Sequence, residues 1–290
     1  MAGVTAALTA GSIVVALAPG ATASAAPAAA RRGAPAAARP ATLPKNLLPF
    51  AHCPVGDRAV SVCLYSSMAT TQFTIGSTTV SSTRPTTISL GLVIEPNGSI
   101  VAILPTDGTA ALNAPSIPLP GGLLGIPGAD AGPLAVDVKP ELAGTPVLSL
   151  TNLLSRHGTG FEMPIQVLVS SPTGVLGSAC TLGSATSPIQ LRLTTGTTKP
   201  PAPNTPISGS AGKLSSGADS ELIVSGMKVV DNSFAVPGAS NCGPTSLLTP
   251  VVDEVIDAQK GLPSAAGKNT AILTGSSYTV PAAVIRKYLG

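Results

Sequence analysis

Tryptophan is absent from the 290 residues, and only four Phe and three Tyr stand in for it. Clefts that grip sugars draw much of their affinity from aromatic stacking, so a carbohydrate-binding role loses its usual means. Charge is also scarce, at 10% of residues against about 25% in an ordinary soluble domain. From Lys45 onward, 13 basic residues balance 13 acidic ones, and the net +3 resides in Arg31, Arg32 and Arg39. A chain that follows nucleic-acid phosphates needs a basic stripe with stacking side chains, and this composition offers neither. Nucleic acid is therefore not expected as a partner.

Other absences narrow the chemistry. No glycine-rich nucleotide loop precedes a helix, and no complete Gly-x-Ser-x-Gly elbow occurs; "GASNC" around Ser240 lacks the second glycine. The cysteines lack the short paired spacing of structural zinc sites. Asp253, Glu254 and Asp257 sit close together but outside any oxygen-rich calcium loop. The only histidines, His52 and His157, read as surface or structural residues. Glycosidase acids have no universal spacing, so Glu95, Glu141, Glu162 and Glu221 are only scattered candidates. No catalytic residue, metal ligand or cofactor is predicted.

What the chain does contain begins with "MAGVTAALTAGSIVVALAPGATASA", an apolar, small-residue stretch ending in Ala23-Ser24-Ala25. It reads as a signal peptide over 1–25, cleaved after Ala25. Gly11 and Pro19-Gly20 interrupt a segment already short for spanning, so no retained transmembrane segment is expected. No Lys or Arg precedes Arg31, so either the amino terminus alone supplies the positive charge or the native start lies upstream. Residues 26–44 contain nine Ala and four Pro with no aromatic, and they predict a disordered tether with little to bury. The remainder, 45–290, is predicted as a disulfide-stabilised, mainly β domain with two subdomains conceivable around 197–217.

Val60, Val62 and Leu64 alternate with smaller residues, and Phe73 and Ile75 resume the pattern after a break. Ile88, Leu90 and Leu92 predict another strand, with Asn97-Gly98 as a hairpin turn into "SIVAIL". "FEMPIQVLVS" (161–170), "SPIQLRLTTG" (187–196), "ELIVSGMKVV" and "SFAVP" read as further strands. The fold class that follows is a sandwich or open barrel. Between strands, 113–133 alternates apolar and turn residues; Leu123, Leu124 and Ile126 form either a ligand-contacting loop or a connection packed on the sheet edge. Residues 249–261 predict the one clear short helix. Thr249 serves as cap, Pro250 opens the first turn, Val252, Val255 and Ile256 form the apolar face, and Gly261 ends it.

Cys53, Cys63, Cys180 and Cys242 make an even count in an exported chain, which predicts two disulfides with three possible connectivities. Sequence order makes Cys53–Cys63 and Cys180–Cys242 the simplest arrangement. Cys242, in "SNCGPTS", is therefore expected to be bonded rather than a reactive thiol.

The blocks "HCPVGDRAVSVCLYSS", "PIQVLVSSPTGVLGSACTLGS", "SPIQLRLTTGTTKPPAPNTPISG" and "FAVPGASNCG", taken together, resemble a family of poorly characterised secreted actinobacterial proteins. The resemblance spans most of 50–275, aligns the four cysteines with the family's pattern and implies no catalytic residue or cofactor. The leading expectation is a noncatalytic structural or interaction protein, secreted or on the extracellular face of the cell envelope. Its partner would be an envelope protein, polymer or lipid. The alternative is an apolar-ligand or lipid binder with 119–128 near its mouth, and an extracellular hydrolase ranks third. An apolar cavity favours the ligand binder, whereas a packed core with an external apolar patch favours interaction.

Overall fold

The alternating apolar segments become strands because each has one face to bury and one to leave in water. A computed structural model describes residues 42–96 and 99–289. The predicted leader, the tether up to residue 41 and the Asn97-Gly98 turn lie outside the described residues. Among the described residues fifteen strands join one antiparallel sheet. The first eight are β1 (Val62–Ile75), β2 (Thr78–Ser82), β3 (Thr86–Ile94), β4 (Ile100–Ile103), β5 (Leu112–Asn113), β6 (Ile117–Pro118), β7 (Asp137–Leu142) and β8 (Val147–Leu148). They are followed by β9 (Phe161–Ser170), β10 (Thr181–Leu182), β11 (Ile189–Leu193), β12 (Lys213–Ser216), β13 (Leu222–Asp231), β14 (Ala239–Ser240) and β15 (Thr270–Pro281). Three helices accompany them: α1 (Leu150–Ser155), α2 (Thr249–Lys260) and α3 (Ala282–Leu289).

Neighbouring strands run β12-β13-β15-β1-β3-β4-β8-β9-β10-β14, with β7 and β11 also paired to β9. The sheet curls so that β1, β3, β13 and β15 share a core with β7, β9 and β11. Leu64, Leu90, Val229 and Leu273 thus join the same buried cluster as Ile165, Ile189 and Leu191. Thr194 and Val230 form a single bridge between the end of β11 and β13, but no ladder continues it and the sheet does not close into a barrel. The predicted mainly β class, expected as a sandwich or open barrel, is the one observed: a large antiparallel sheet that is not closed into a barrel, with a few short helices.

The break noted between Leu64 and Phe73 is a β-bulge. Met68 pairs with Gly275 and Thr70 with Thr274, so β1 carries an extra residue opposite β15. A one-residue slip reverses which parity faces inward. Leu64 and Met68 are buried before the bulge, while Phe73 and Ile75 pack on the same core after it. β13 bulges between Val224 and Met227, where Gly226 has φ +67°, and Met227 pairs with that same Gly275. Two neighbouring strands therefore change parity against one glycine. A Cβ at Gly275 would sit 2.1 Å from the Ser67 carbonyl oxygen, so only glycine admits this approach.

The outer face of β1 and β15 carries a second cluster. A 3-10 turn at Lys45–Phe50 and helix α3 cover it, burying Leu47, Phe50, Val60, Val280 and Ile285. Arg286 ties α3 to the first segment by donating to the carbonyls of Val55, Asp57 and Val60 at 2.8–3.0 Å. Cys53 and Cys63 are bonded within this cluster, and Cys180 and Cys242 are bonded within the main core. All four cysteines are buried, and none is free.

Three local expectations are corrected. Thr249 does not cap α2: Leu248 is the capping residue, no side chain caps the helix, and the Thr249 hydroxyl donates back to the Thr245 carbonyl. Val255 is not on the buried face; it is exposed, and the inward residues follow the four-residue spacing Val252, Ile256 and Lys260. "SFAVP" forms no strand, because Val236 makes only an isolated bridge to Ser264.

Candidate functional site

The parity changes let the inner face enclose space on both sides of the bulge line. The larger cavity, about 200 Å³, lies on the side of the strand segments before the bulges. Its walls come from Leu64 and Met68 on β1, Val224 and Met227 on β13, Leu273 on β15 and Phe161 on β9. Its polar lining residues are Ser66, Ser277 and Thr279, and the first two spend their hydroxyls on each other at 2.7 Å. An apolar cavity of about 150 Å³ is enough to stay dry and take up benzene, so this one exceeds that threshold. Four lining residues are also conspicuously exposed: Leu150 (42%), Leu154 (59%), Leu214 (58%) and Leu222 (50%). They mark a mouth between α1 and the β12–β13 hairpin, rimmed with leucine where a soluble surface ordinarily carries polar side chains.

The smaller cavity, about 80 Å³, lies beyond the bulges between the β1–β2 hairpin, β7, β9 and α2. Phe73, Ile75, Val138, Ile165 and Ile256 line it, and among the described residues Lys260 is its only charged wall residue. Lys260 is 8% exposed, and its ammonium donates to the Gly122 carbonyl at 3.0 Å. Burial pushes its pKa below the ordinary lysine value. Its backbone carbonyl accepts from Ser77 at the β1–β2 turn, so one residue connects the helix, the hairpin and the 119–125 loop. The acids beside it on α2 serve the same docking. Asp253 accepts from the Cys242 amide at 2.9 Å, and Asp257 accepts from the Ala239 amide at 2.7 Å.

The predicted contact loop is divided between these environments. Leu123 is half-buried and lines the smaller cavity, whereas Leu124 and Ile126 are exposed, at 39% and 50%. Backbone bonds from Leu119 to Val136 and from Leu123 to Leu134 hold the excursion against its return limb.

Groups weighed for catalysis do not converge. His52 Nδ1 lies 2.7 Å from Asp107 and 3.1 Å from Thr109 Oγ1, in an exposed position beside the bonded Cys53. This contact, with the Thr109 amide, holds the Asp107 carboxyl down at about 2. Among the described residues, His157 meets the Ser155 carbonyl at 2.7 Å. Glu141 pairs with Lys139 and Glu162 with Arg192, while Glu95 stands at the end of the β3–β4 hairpin. Burial and the neighbouring Asp219 raise the carboxyl pKa of Glu221. Ser240 shares its hydroxyl with Thr181 at 3.3 Å. Among the described residues no group of three His, Cys, Asp or Glu is placed to hold a metal, and no helix is long and apolar enough to cross a membrane.

Lys260 and the serine pair carried no sequence motif. Lys260 had a legible signal: it follows Ile256 by four residues, on the apolar side of α2 rather than merely at its end. Compared with family models, with curated proteins and with solved structures, the chain shows no match.

Proposed function

We propose that this protein is an exported, noncatalytic binder of small apolar or lipid-like molecules, held in the larger cavity. The observation that carries the reading is a cavity of about 200 Å³ whose polar lining hydroxyls largely satisfy one another and whose mouth is rimmed by Leu150, Leu154, Leu214 and Leu222. A well-packed core leaves few voids larger than a water, and an apolar void forfeits dispersion contacts on every wall. A guest restores those contacts. The leucine rim offers a path by which an apolar molecule reaches the cavity without crossing polar surface.

Export is supported by the leader-like first 25 residues and by two disulfides, which persist in oxidising compartments. The resemblance to secreted actinobacterial proteins points the same way, toward the extracellular face of the envelope. A second reading, as an interaction protein, is favoured by the apolar outer side of α2 and its preceding turn. Leu247, Leu248, Val251 and Val255 are exposed there at 88%, 48%, 61% and 40%. The two readings are compatible if docking delivers the ligand.

Native mass spectrometry of protein recovered from the producing cells' extracellular or envelope fraction tests the proposal. An additional mass that is lost on denaturation is expected. A bare mature mass, combined with failure to take up a neutral apolar probe, would leave only the interaction reading.

A further inference from the structure

We infer that the larger cavity takes a guest with an uncharged aromatic ring, seated between the side chains of Met68 and Met227. The inference rests on the ligand-binding reading of this cavity and names the chemical class of the guest. Met68 on β1 and Met227 on β13 pair with the same residue of β15, Gly275, from opposite sides. Both are buried in the main core, and both line the cavity. Paired strands lie about 4.8 Å apart, so the two methionine backbones stand about 10 Å from each other across a residue that has no side chain.

A core methionine ordinarily fills an irregular gap with its flexible thioether. Here two of them border a gap instead. The favourable contact between a thioether and an aromatic ring sets the sulfur about 5 Å from the ring. Two such contacts, one on either side of a single ring, span about 10 Å, which is the separation of strands that flank β15. An aliphatic guest meets the same side chains through dispersion alone, so the pair favours a π-system.

The rest of the lining agrees. Toward the mouth the inward positions of β15 are Ser277 and Thr279, both short, paired with Val224 and Leu222 on β13. Leu222 belongs to the exposed rim, so this short row leads from the rim to the methionines. The Ser66 and Ser277 hydroxyls are bonded to each other at 2.7 Å and ask for no polar partner from a guest. Among the described residues no Lys, Arg, His, Asp or Glu lines the cavity, and a charge buried without a partner is costly. The ring must therefore be neutral. At about 200 Å³ the cavity exceeds the roughly 150 Å³ that takes up benzene.

The test titrates the full, disulfide-bonded chain, isotope-labelled at its methionine methyls, with toluene, with benzoate and with methylcyclohexane, which has a similar shape and no π-system. Met163, buried on β9, lines neither cavity and serves as the internal control. The ring current of toluene should shift the Met68 and Met227 methyl signals and leave Met163 in place. Benzoate should bind about tenfold or more weakly than toluene, for want of a counter-charge. Exchanging Met68→Leu and Met227→Leu together nearly conserves volume, and it should weaken toluene about threefold or more relative to its effect on methylcyclohexane. Comparing each hydrocarbon with itself removes their difference in hydrophobicity. Should the double variant not fold, the single exchanges are read in the same way and the native-chain shifts decide on their own. Toluene binding that leaves both methionines unshifted, or an equal loss for the two hydrocarbons, would overturn the aromatic assignment while the apolar-ligand reading stands. Benzoate binding as tight as that of toluene would overturn the neutral-guest assignment. Binding of neither hydrocarbon would overturn the reading and the inference together.

Discussion

Replacing Gly275 by alanine is the sharpest perturbation of the scaffold that encloses the cavities. The new Cβ would stand 2.1 Å from the Ser67 carbonyl oxygen and 2.5 Å from the Met68 Cα, both well inside the 3.4 Å at which ordinary contact begins. Both are backbone atoms of β1, so no flexible side chain can swing aside. Relief requires β1 and β15 to part at the Met68–Gly275 pair, where β13 also converges through Met227. Overpacking of this kind costs about 1–3 kcal/mol, and a lost ladder bond adds about 1 kcal/mol. Removing a glycine returns at most about 1 kcal/mol through the unfolded chain. The expected net loss is therefore about 1–4 kcal/mol, a large part of the 5–15 kcal/mol that holds a typical domain folded. Urea denaturation should show a lower midpoint with an unchanged slope. A Gly275→Ala variant within about 0.5 kcal/mol of the native chain, the scatter of ordinary surface changes, would refute the claim that the β1 bulge depends on this close approach.

Other consequences are equally open to measurement. Replacing Cys180 and Cys242 together by serine should lower stability by about 2–4 kcal/mol, read by the same denaturation experiment; no loss would remove the bridge from the account of stability. Asp107 should titrate at about 2 by carboxyl NMR and move toward 3.8 in His52→Ala. Because its folded value is depressed, whatever stability the His52 contact confers is present above the ordinary carboxylate range and lost as pH falls toward 2; an unshifted native midpoint would contradict the pairing. Lys260 has the opposite consequence at alkaline pH. The unfolded chain holds its proton up to 10.5 while the folded chain releases it at lower pH, so stability should rise as pH approaches 10.5 and flatten in Lys260→Met. A native pH profile identical to that of the variant would show that burial does not disfavour the ammonium.

How much of this was legible in the sequence depended on whether one strand alone carried the signal. Ile189, Leu191 and Leu193 alternate without interruption, and each is buried on β11. β9 likewise begins and ends where its alternation does. The central β15 went unread because "LTGSSYTV" gives few large apolar residues; its inner positions include Gly275, Ser277 and Thr279, which face bulges and a cavity rather than packed core. The cysteine pairing followed sequence order, and the structure has that arrangement. The cavities themselves were not legible. Their walls join residues as distant in sequence as Leu64 and Thr279, and the space between them depends on two parity changes that meet opposite Gly275 on a third strand. The apolar loop illustrates the same limit: composition marked Leu123, Leu124 and Ile126 equally, but the backbone return to Leu134 directs only Leu123 to a cavity.

The most direct test of the ligand-binding account is to fill the larger cavity and measure what is lost. Val224→Phe and Thr279→Phe place aromatic rings in its wall from β13 and β15, and urea denaturation identifies which variant remains folded. The native full chain should bind the neutral probe N-phenyl-1-naphthylamine saturably, and a folded variant should bind it about tenfold or more weakly, as expected when the space for an apolar guest is occupied. Equal affinity in the native chain and a folded, cavity-filled variant, or no saturable binding to the native chain, would contradict the account.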